Sequence, residues 1–405
     1  MANYFRDRIE FPILLASLAL VAAGLVSVYS ATFDARMAEL FAKQVVAAGV
    51  GVFLLIVASL LPLRTLQLIS IPAYFLSLLS LVTVLLIGKQ VSGSTSWFNL
   101  GPMSVQPSEF AKIATILALA SYLQQSDVSL QKTKDLLIAG AIIGAPVLLV
   151  LKQPDTGTAL TFVGMFIPVL YWGGAKPFTL VALIAPGVVA VTALLGPTPF
   201  LIGIIALGIL IFITKQNWIT AAVVFSIVVF VGISVQSIHD NLRPYQQKRI
   251  ATFLDPSADP LGAGYNVLQS KVAIGSGGLL GKGFLKGTQT RLNFIPAQWT
   301  DFIFTVPGEE FGMLGATIVL ILFMVLLFRG IRIATTVKNS YGSFVAVGIV
   351  GIFATHIFVN IGMALGLVPV IGVPLPFLSY GGSALLANMI MIGLLLNLYA
   401  NRKEY

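Results

Sequence analysis

The stretch QSIHDNLRPYQQKRIATFLDPSADPLGAGYNVLQSKVAIGSGGLLGKGFLKGTQTRLNFIPAQWTDFIFTVPGEEFG, residues 236–312, decides how the rest of the chain is read. Asp, Arg, Lys, Gly, Gln and Thr crowd into it, and a hydrocarbon core offers such groups no partners. One apolar run ends near Val235 and the next begins near Met313. A polar excursion of this size between membrane segments is where chemistry is expected.

Outward from it lie twelve apolar runs, at 11–31, 44–62, 67–88, 107–123, 136–151, 157–173, 177–195, 198–214, 218–235, 313–329, 342–366 and 380–400. Each is near the ~20 residues that cross ~30 Å of hydrocarbon, the fourth to sixth being short. Of the 405 residues 57% are hydrophobic and 10% charged, and the mean hydropathy is +0.96; a soluble domain carries ~25% charge. A β-barrel would show alternating segments of ~10 residues, whereas these runs are unbroken Leu, Ile, Val, Ala and Phe. The expected fold is an all-α polytopic membrane protein. It is one integral membrane domain over 1–405, a bundle of 10–12 transmembrane helices, with a large extracytoplasmic loop at 236–312 that carries the site. The first run is too long for a signal-peptide core and reads as an uncleaved span. Cysteine is absent, which excludes disulfides and thiol chemistry.

Orientation follows from the Lys and Arg of the short loops. Arg6, Arg8, Arg64, Lys132, Lys134, Lys176, Lys215, Arg329, Arg332, Lys338, Arg402 and Lys403 fall on one side. The other side holds Arg36, Lys43, Lys89 and Lys152, partly offset by Asp34, Glu39 and Asp155. Both termini are therefore expected in the cytoplasm and the long loop outside. The net charge of +9 reflects this bias and contact with anionic lipid rather than nucleic-acid binding. No paired Gly/Pro breaks mark an inverted-repeat transporter, and no ring-forming filter marks a channel.

Within the loop, Arg243 and Lys248 belong to a basic stretch just beyond a span. Two Asp-Pro steps follow, and proline holds Asp255 and Asp259 in extended or turn backbone. An aspartate so placed either caps the following backbone or is free for chemistry. Val267, Leu268, Val272 and Ile274 give 265–274 the pattern of a short amphipathic helix on the membrane surface. The glycine-rich segment 275–283 reads as a loose phosphate cradle or as a simple turn. Lys271, Lys282, Lys286 and Arg291 bring cations to the same surface, suited to a pyrophosphate or to lipid headgroups. The loop closes on Glu309 and Glu310 where a span begins. Charges at membrane depth point to function by default, and Glu109 and Lys112, three apart on a helical face, can pair there. Asp155 lies in a similar position, and His356 and Asn360, four apart, face one side of a helix and can bond a neighbouring one.

Taken together, Gln106-Pro107-Ser108-Glu109-Phe110-Ala111-Lys112, Gln153-Pro154-Asp155-Thr156-Gly157-Thr158, Asp259-Pro260-Leu261-Gly262-Ala263-Gly264-Tyr265, Ile274-Gly275-Ser276-Gly277-Gly278, Gly287-Thr288-Gln289, Thr300-Asp301-Phe302-Ile303-Phe304 and Leu375-Pro376-Phe377-Leu378-Ser379-Tyr380-Gly381-Gly382-Ser383 resemble the SEDS family (shape, elongation, division and sporulation). They occur in the family's order over most of the chain, and details at 281–289 and 372–376 are closer to the elongation branch than to the division branch.

The resemblance implies a peptidoglycan glycosyltransferase of the bacterial cytoplasmic membrane. Such an enzyme polymerises lipid II into glycan strands on the outer face and works with a class B penicillin-binding protein that crosslinks them. The family's essential loop acid maps onto Asp259. As general base on a sugar hydroxyl it would contribute ~10²–10⁴-fold. Arg243, Lys248, Lys271, Lys282 and Lys286 would stabilise the departing undecaprenyl pyrophosphate, with or without a divalent cation, Mg or Mn. Glu109, Lys112 and Asp155, with Gln289 and Ser379 of the quoted motifs, would shape the substrate cavity. Two departures stand out: Ser96 precedes Trp97 where the family usually has a basic residue, and the family fold has ten spans, which assigns an extra helical pair to 177–235. A lipid II flippase, which would depend on Lys112, Glu109 and Asp155 more than on Asp259, is the competing class. A non-catalytic scaffold, for which no single loop acid would matter, is a third.

Overall fold

The computed structural model describes residues 9–33, 37–91, 93–100, 103–214, 217–241, 247, 264–292 and 294–403. Asp255, Asp259, Arg243 and Lys248 lie outside the described residues, as does Lys215.

In hydrocarbon each backbone N–H and C=O needs an internal partner, so the apolar runs become helices. They are α1 (Phe11–Phe33), α2 (Ala38–Leu60) and α3 (Leu63–Ile87). A small sheet follows, β1 (Lys89–Val91), β2 (Ser94–Leu100) and β3 (Met103–Val105). Next come α4 (Pro107–Leu123), α5 (Thr133–Lys152), α6 (Thr156–Trp172), α7 (Pro177–Leu195), α8 (Pro197–Ile213) and α9 (Trp218–Asn241). The loop contributes α10 (Tyr265–Ser276), α11 (Thr288–Arg291) and α12 (Thr305–Glu310), and the chain closes with α13 (Gly312–Thr336), α14 (Ser340–Leu365) and α15 (Gly382–Ala400). Among the described residues, nine helices are long and apolar enough to cross a membrane. The helices α4, α6 and α8 are shorter, at 17 residues each.

The twelve apolar runs correspond one to one with twelve of these helices. The antiparallel sheet is an addition to the all-α expectation: Phe98 of β2 faces Val105 of β3. The backbone N–H of Thr95 and the hydroxyl of Ser94 both bond the carbonyl of Gln153, docking β2 on the end of α5.

The bundle has a centre and a periphery. Of the membrane-depth residues of α14 and α15, 67% and 72% are buried, against 17% in α9. Association in lipid relies on close backbone approach at small residues and on interhelical hydrogen bonds. Here α2 and α15 meet at Gly393, where a Cβ would lie 2.4 Å from the carbonyl oxygen of Leu55. Ser70 bonds Tyr341 at 2.8 Å, and Trp172 donates to Ser343 at 2.8 Å. The segment expected to hold the extra pair forms the three helices its three runs call for, α7, α8 and α9, packed on one another around Val189, Leu207 and Val228 in a core separate from the main one.

Candidate active site

The interior cluster begins on α4, where Pro107 fills the first turn without losing a needed hydrogen bond. One turn on, Lys112 Nζ lies 2.9 Å from Glu109 Oε1, with side chains only 1% and 3% exposed. The same ammonium is 3.0 Å from His356 Nε2 on α14. His356 Nδ1 lies 2.9 Å from the carbonyl of Pro374. A carbonyl only accepts, so Nδ1 carries the hydrogen and Nε2 accepts from Lys112. Asn360, a turn further along α14, donates to the carbonyls of Asp301 at 3.0 Å and Val373 at 2.8 Å. Polar contacts thus run from the middle of the bundle to the 300s loop. Along this line Ser108 Oγ, Glu109 Oε2 and Asn360 Oδ1 are buried and have no hydrogen-bond partner among the described residues. An unsatisfied buried polar atom costs ~1–3 kcal/mol, and each of the three keeps hydrogen-bonding capacity for a water or a polar ligand.

The second cluster lies in the folded part of the loop. Its glycines let two backbones run together. Lys282 N–H and Gly283 N–H donate to the carbonyls of Glu309 and Glu310 at 3.0 and 2.9 Å, and Met313 N–H donates to Gly278 at 2.9 Å. Gly281 has φ +80°, and a Cβ there would lie 2.1 Å from Glu310's carbonyl oxygen. The segment 275–283 is therefore a docked turn, and the phosphate-cradle alternative is not what these glycines serve. Over this turn the carboxylate of Glu309 is enclosed. Oε1 accepts from Lys282 Nζ at 2.7 Å, Gln289 N–H at 2.9 Å and Thr288 Oγ1 at 3.3 Å, and Oε2 accepts from Thr290 N–H at 2.9 Å and Thr290 Oγ1 at 2.8 Å. Burial pushes Glu309 up, but these donors outweigh it and hold its carboxyl below the ordinary value. Its neighbour Glu310 accepts from Ser30 of α1. There burial dominates and raises the pKa.

The remaining expected residues divide between frame and surface. Asp155 caps α6, accepting from Thr158 N–H at 3.0 Å and Thr158 Oγ1 at 2.8 Å, and Gln106 donates to it at 3.1 Å. It joins the two Gln-Pro motifs. Ser379 accepts from Leu375 N–H at 2.8 Å and donates to the carbonyl of Thr300 at 2.6 Å. The expected amphipathic helix forms as α10, but it packs on α12 and α14 with Val267 and Ala273 buried and Val272 outward. On it, Lys271 lies over Gly366, whose left-handed φ of +70° ends α14; a Cβ there would meet Lys271 Cε at 2.5 Å. The ammonium thereby sits at the negative end of the α14 dipole. Lys286 is exposed, and Gln289 Oε1 is buried with no hydrogen-bond partner among the described residues.

Two features escaped the sequence reading. Glu309 organises the loop, and the signal for it was an acid preceding a span in a chain whose Gly-Thr-Gln-Thr segment offers clustered donors. The Lys112–His356 contact joins residues 244 positions apart, and only the 356/360 spacing hinted at it. Among the described residues no three of His, Asp and Glu converge on a metal-sized site, so those residues do not by themselves fit a resident divalent ion.

Fold and site define a multi-pass membrane protein whose buried charged cluster is linked through Asn360 to the loop at Asp301. The chain belongs to the FtsW/RodA/SpoVE family, described as cell cycle proteins, which matches residues 11–200 and 177–404. This is the SEDS family that the motifs resemble. The peptidoglycan glycosyltransferase MrdB of Escherichia coli K12 is 36% identical, covering 98% of this chain and 96% of its own. The peptidoglycan glycosyltransferase RodA of Treponema pallidum is 34% identical over 97% of this chain and 98% of its own. Stage V sporulation protein E of Bacillus subtilis is 36% identical over 95% of both. Among solved structures, a chain from a peptidoglycan synthase complex studied for coordination of polymerization and crosslinking superposes with TM-score 0.74 at 29% identity, over 98% of this chain and 99% of that one. The rod shape determining protein RodA of Thermus thermophilus gives 0.64 at 26% identity over 98% of both chains.

Proposed function

We propose that this protein is a peptidoglycan glycosyltransferase of the RodA type. It polymerises lipid II during cell elongation and releases undecaprenyl pyrophosphate on the outer face of the cytoplasmic membrane, with both termini inside. In this reading Asp259 takes the proton of the attacking sugar hydroxyl. Lys282, Lys286, Lys271, Arg243 and Lys248 stabilise the charge that develops on the leaving pyrophosphate. Glu109 and Lys112, with Gln289, line the approach, while Asp155 and Ser379 hold its walls. A class B penicillin-binding protein receives the strand for crosslinking. A Mg or Mn ion accompanying the pyrophosphate belongs to the same proposal and is checked by chelation.

The observation that carries polymerisation over flipping is where the polar contacts stop. They lead from Lys112 to the loop, and beyond Lys112 the same helix is closed by Ile113, Ala114, Ile116, Leu117, Ala118, Leu119 and Ala120, all buried. Its one further buried hydroxyl, Thr115, is satisfied by Ala111. Buried polar groups elsewhere in that half, such as Ser70 with Tyr341, are satisfied by one another, and in this reading they hold helices together rather than line a path.

The test is polymerisation of fluorescent lipid II by the purified protein with its partner transpeptidase, crosslinking blocked. Glycan ladders are expected from wild type and Asp255→Ala and not from a folded Asp259→Ala. Ladders from Asp259→Ala equal to wild type would remove the base assignment. No ladder from wild type with any partner or metal would return the flippase.

A further inference from the structure

Lys112 and His356 come from different helices, α4 and α14, and are 0% and 4% exposed where they meet. A lysine is a flexible stem carrying three donors on an ammonium that turns freely. With Glu109 Oε1 as its one acceptor, at 2.9 Å, that ammonium would still spin about the bond between them. His356 Nε2, at 3.0 Å, is a second acceptor held by another helix. Two directions of a tetrahedral ammonium, once taken, determine the third. That third N–H meets no acceptor among the described residues. On the same two helices Ser108 Oγ, Glu109 Oε2 and Asn360 Oδ1 are open as well.

The ring accepts from Lys112 only because Nδ1 gives its hydrogen to the carbonyl of Pro374 at 2.9 Å, which leaves the lone pair on Nε2. Asn360, one turn on, holds the adjoining carbonyl of Val373 at 2.8 Å. The turn at 373–374 therefore sets the histidine, and the histidine sets the lysine. A bond that served only to join two helices is made as well by neutral groups, as Ser70 and Tyr341 do. A buried ammonium carries a desolvation cost that such a bond does not require.

We propose that His356 is a positioning residue, which locks the Lys112 ammonium so that its remaining N–H points at an acceptor oxygen of the lipid II head group. The inference rests on lipid II as the substrate and is indifferent to which acid is the base.

The experiment reads displaceable binding of fluorescent lipid II to the full-length protein in detergent, which needs no turnover. Two substitutions one methylene apart divide the ring's two bonds. His356→Asn places an amide where Nδ1 stands, so it still bonds Pro374 and falls short of Lys112. His356→Gln reaches as far as Nε2 and returns an acceptor to the ammonium. His356→Asn should weaken binding about tenfold, for one aimed hydrogen bond to a charged group, while His356→Gln stays within about twofold of wild type. In a Lys112→Met background His356→Asn should cost nothing further, because a residue acting through another then has nothing to act on. A merely structural role would lower the melting temperature and the fraction of competent protein, and leave the Kd of that fraction unchanged. Unchanged affinity in a folded His356→Asn, an equal loss in His356→Gln, or a loss of the same size without Lys112 would each overturn the proposal. So would a wild type that does not bind lipid II. Binding without strand formation fails the polymerase reading alone, and the cycle with Lys112→Met is then read in the same way.

Discussion

The cluster around Lys112 and the cluster around Glu309 are built alike, each a buried carboxylate paired with a lysine, and they differ in how completely the carboxylate is satisfied. Glu309 accepts five hydrogen bonds divided over both oxygens. Glu109 has Lys112 on one oxygen and no partner for the other among the described residues. A carboxylate with a full shell holds a structure together. One with an open oxygen, beside an open serine and an open amide, can still bind a hydroxyl or a water. Charge and burial alone would have ranked the two sites equally; counting donors separates them.

The comparison breaks most visibly at Glu309. Glu309→Ala leaves Lys282 without its partner and two N–H groups of the Gly-Thr-Gln-Thr segment without acceptors. Destabilisation of about 3–5 kcal/mol is expected, as for other broken buried pairs, read as a lower melting temperature in detergent together with loss of polymerisation. A variant that melts like wild type would show that the loop does not hang on this residue.

At Lys112 the expected loss is smaller, about 2–3 kcal/mol for Lys112→Met, because methionine keeps the packing of the lysine stem and Glu109 loses one donor rather than five. The double variant Glu109→Gln/Lys112→Met removes both charges and should recover to within about 1 kcal/mol of wild type. Its polymerisation should stay low, since the groups facing the open site are gone. Full activity in a folded double variant would reduce the interior pair to packing.

What the sequence could disclose follows the same division. Helix positions were legible because lipid leaves the backbone no other solution, and the twelve runs match helices despite ends that shift by several residues. The ends moved where charged residues continue a helix past the hydrocarbon, as Arg329 and Arg332 do in α13. The sheet at 89–105 was not legible, since its strands are short and rich in Ser and its docking partner is Gln153 of a distant helix. At the site, Glu109 with Lys112 could be read because three residues separate them on one helix. The enclosure of Glu309 could not, because its donors come from 19 to 27 positions away through a turn whose glycines look like a ligand cradle until the second backbone is seen. Asp155 was legible as a conspicuous acid and not as a cap.

Backbone proximity in that turn gives the next test. Gly281→Ala forces a side chain onto a backbone with φ +80° and against the carbonyl of Glu310, with an expected loss of about 1–3 kcal/mol. Gly275→Ala, where a Cβ meets nothing within 4 Å, should be nearly silent. Equal melting of the two would mean the turn is not docked as described. Asp155→Ala should lose about 1 kcal/mol, the usual worth of an N-cap, and Asp155→Asn should recover most of it. Recovery of stability without recovery of polymerisation would give Asp155 a role at the substrate beyond capping.

The smallest effect is the one with the clearest sign. Glu309 and Glu310 are neighbours shifted in opposite directions from the ordinary 4.5. Glu309, held below that value, contributes stability that is present above 4.5 and is lost as the pH falls through its lowered pKa. Glu310, raised by burial, contributes stability that is present below 4.5 and is lost as the pH rises through its raised pKa. Their sum peaks near the ordinary carboxylate value and falls away on both sides, each acid accounting for one side. Melting temperature against pH should therefore lose its acid limb in Glu309→Gln and its decline above 4.5 in Glu310→Gln, relative to wild type. An unchanged upper limb in Glu310→Gln would mean that the bond from Ser30 already keeps Glu310 ionised, making the two acids alike.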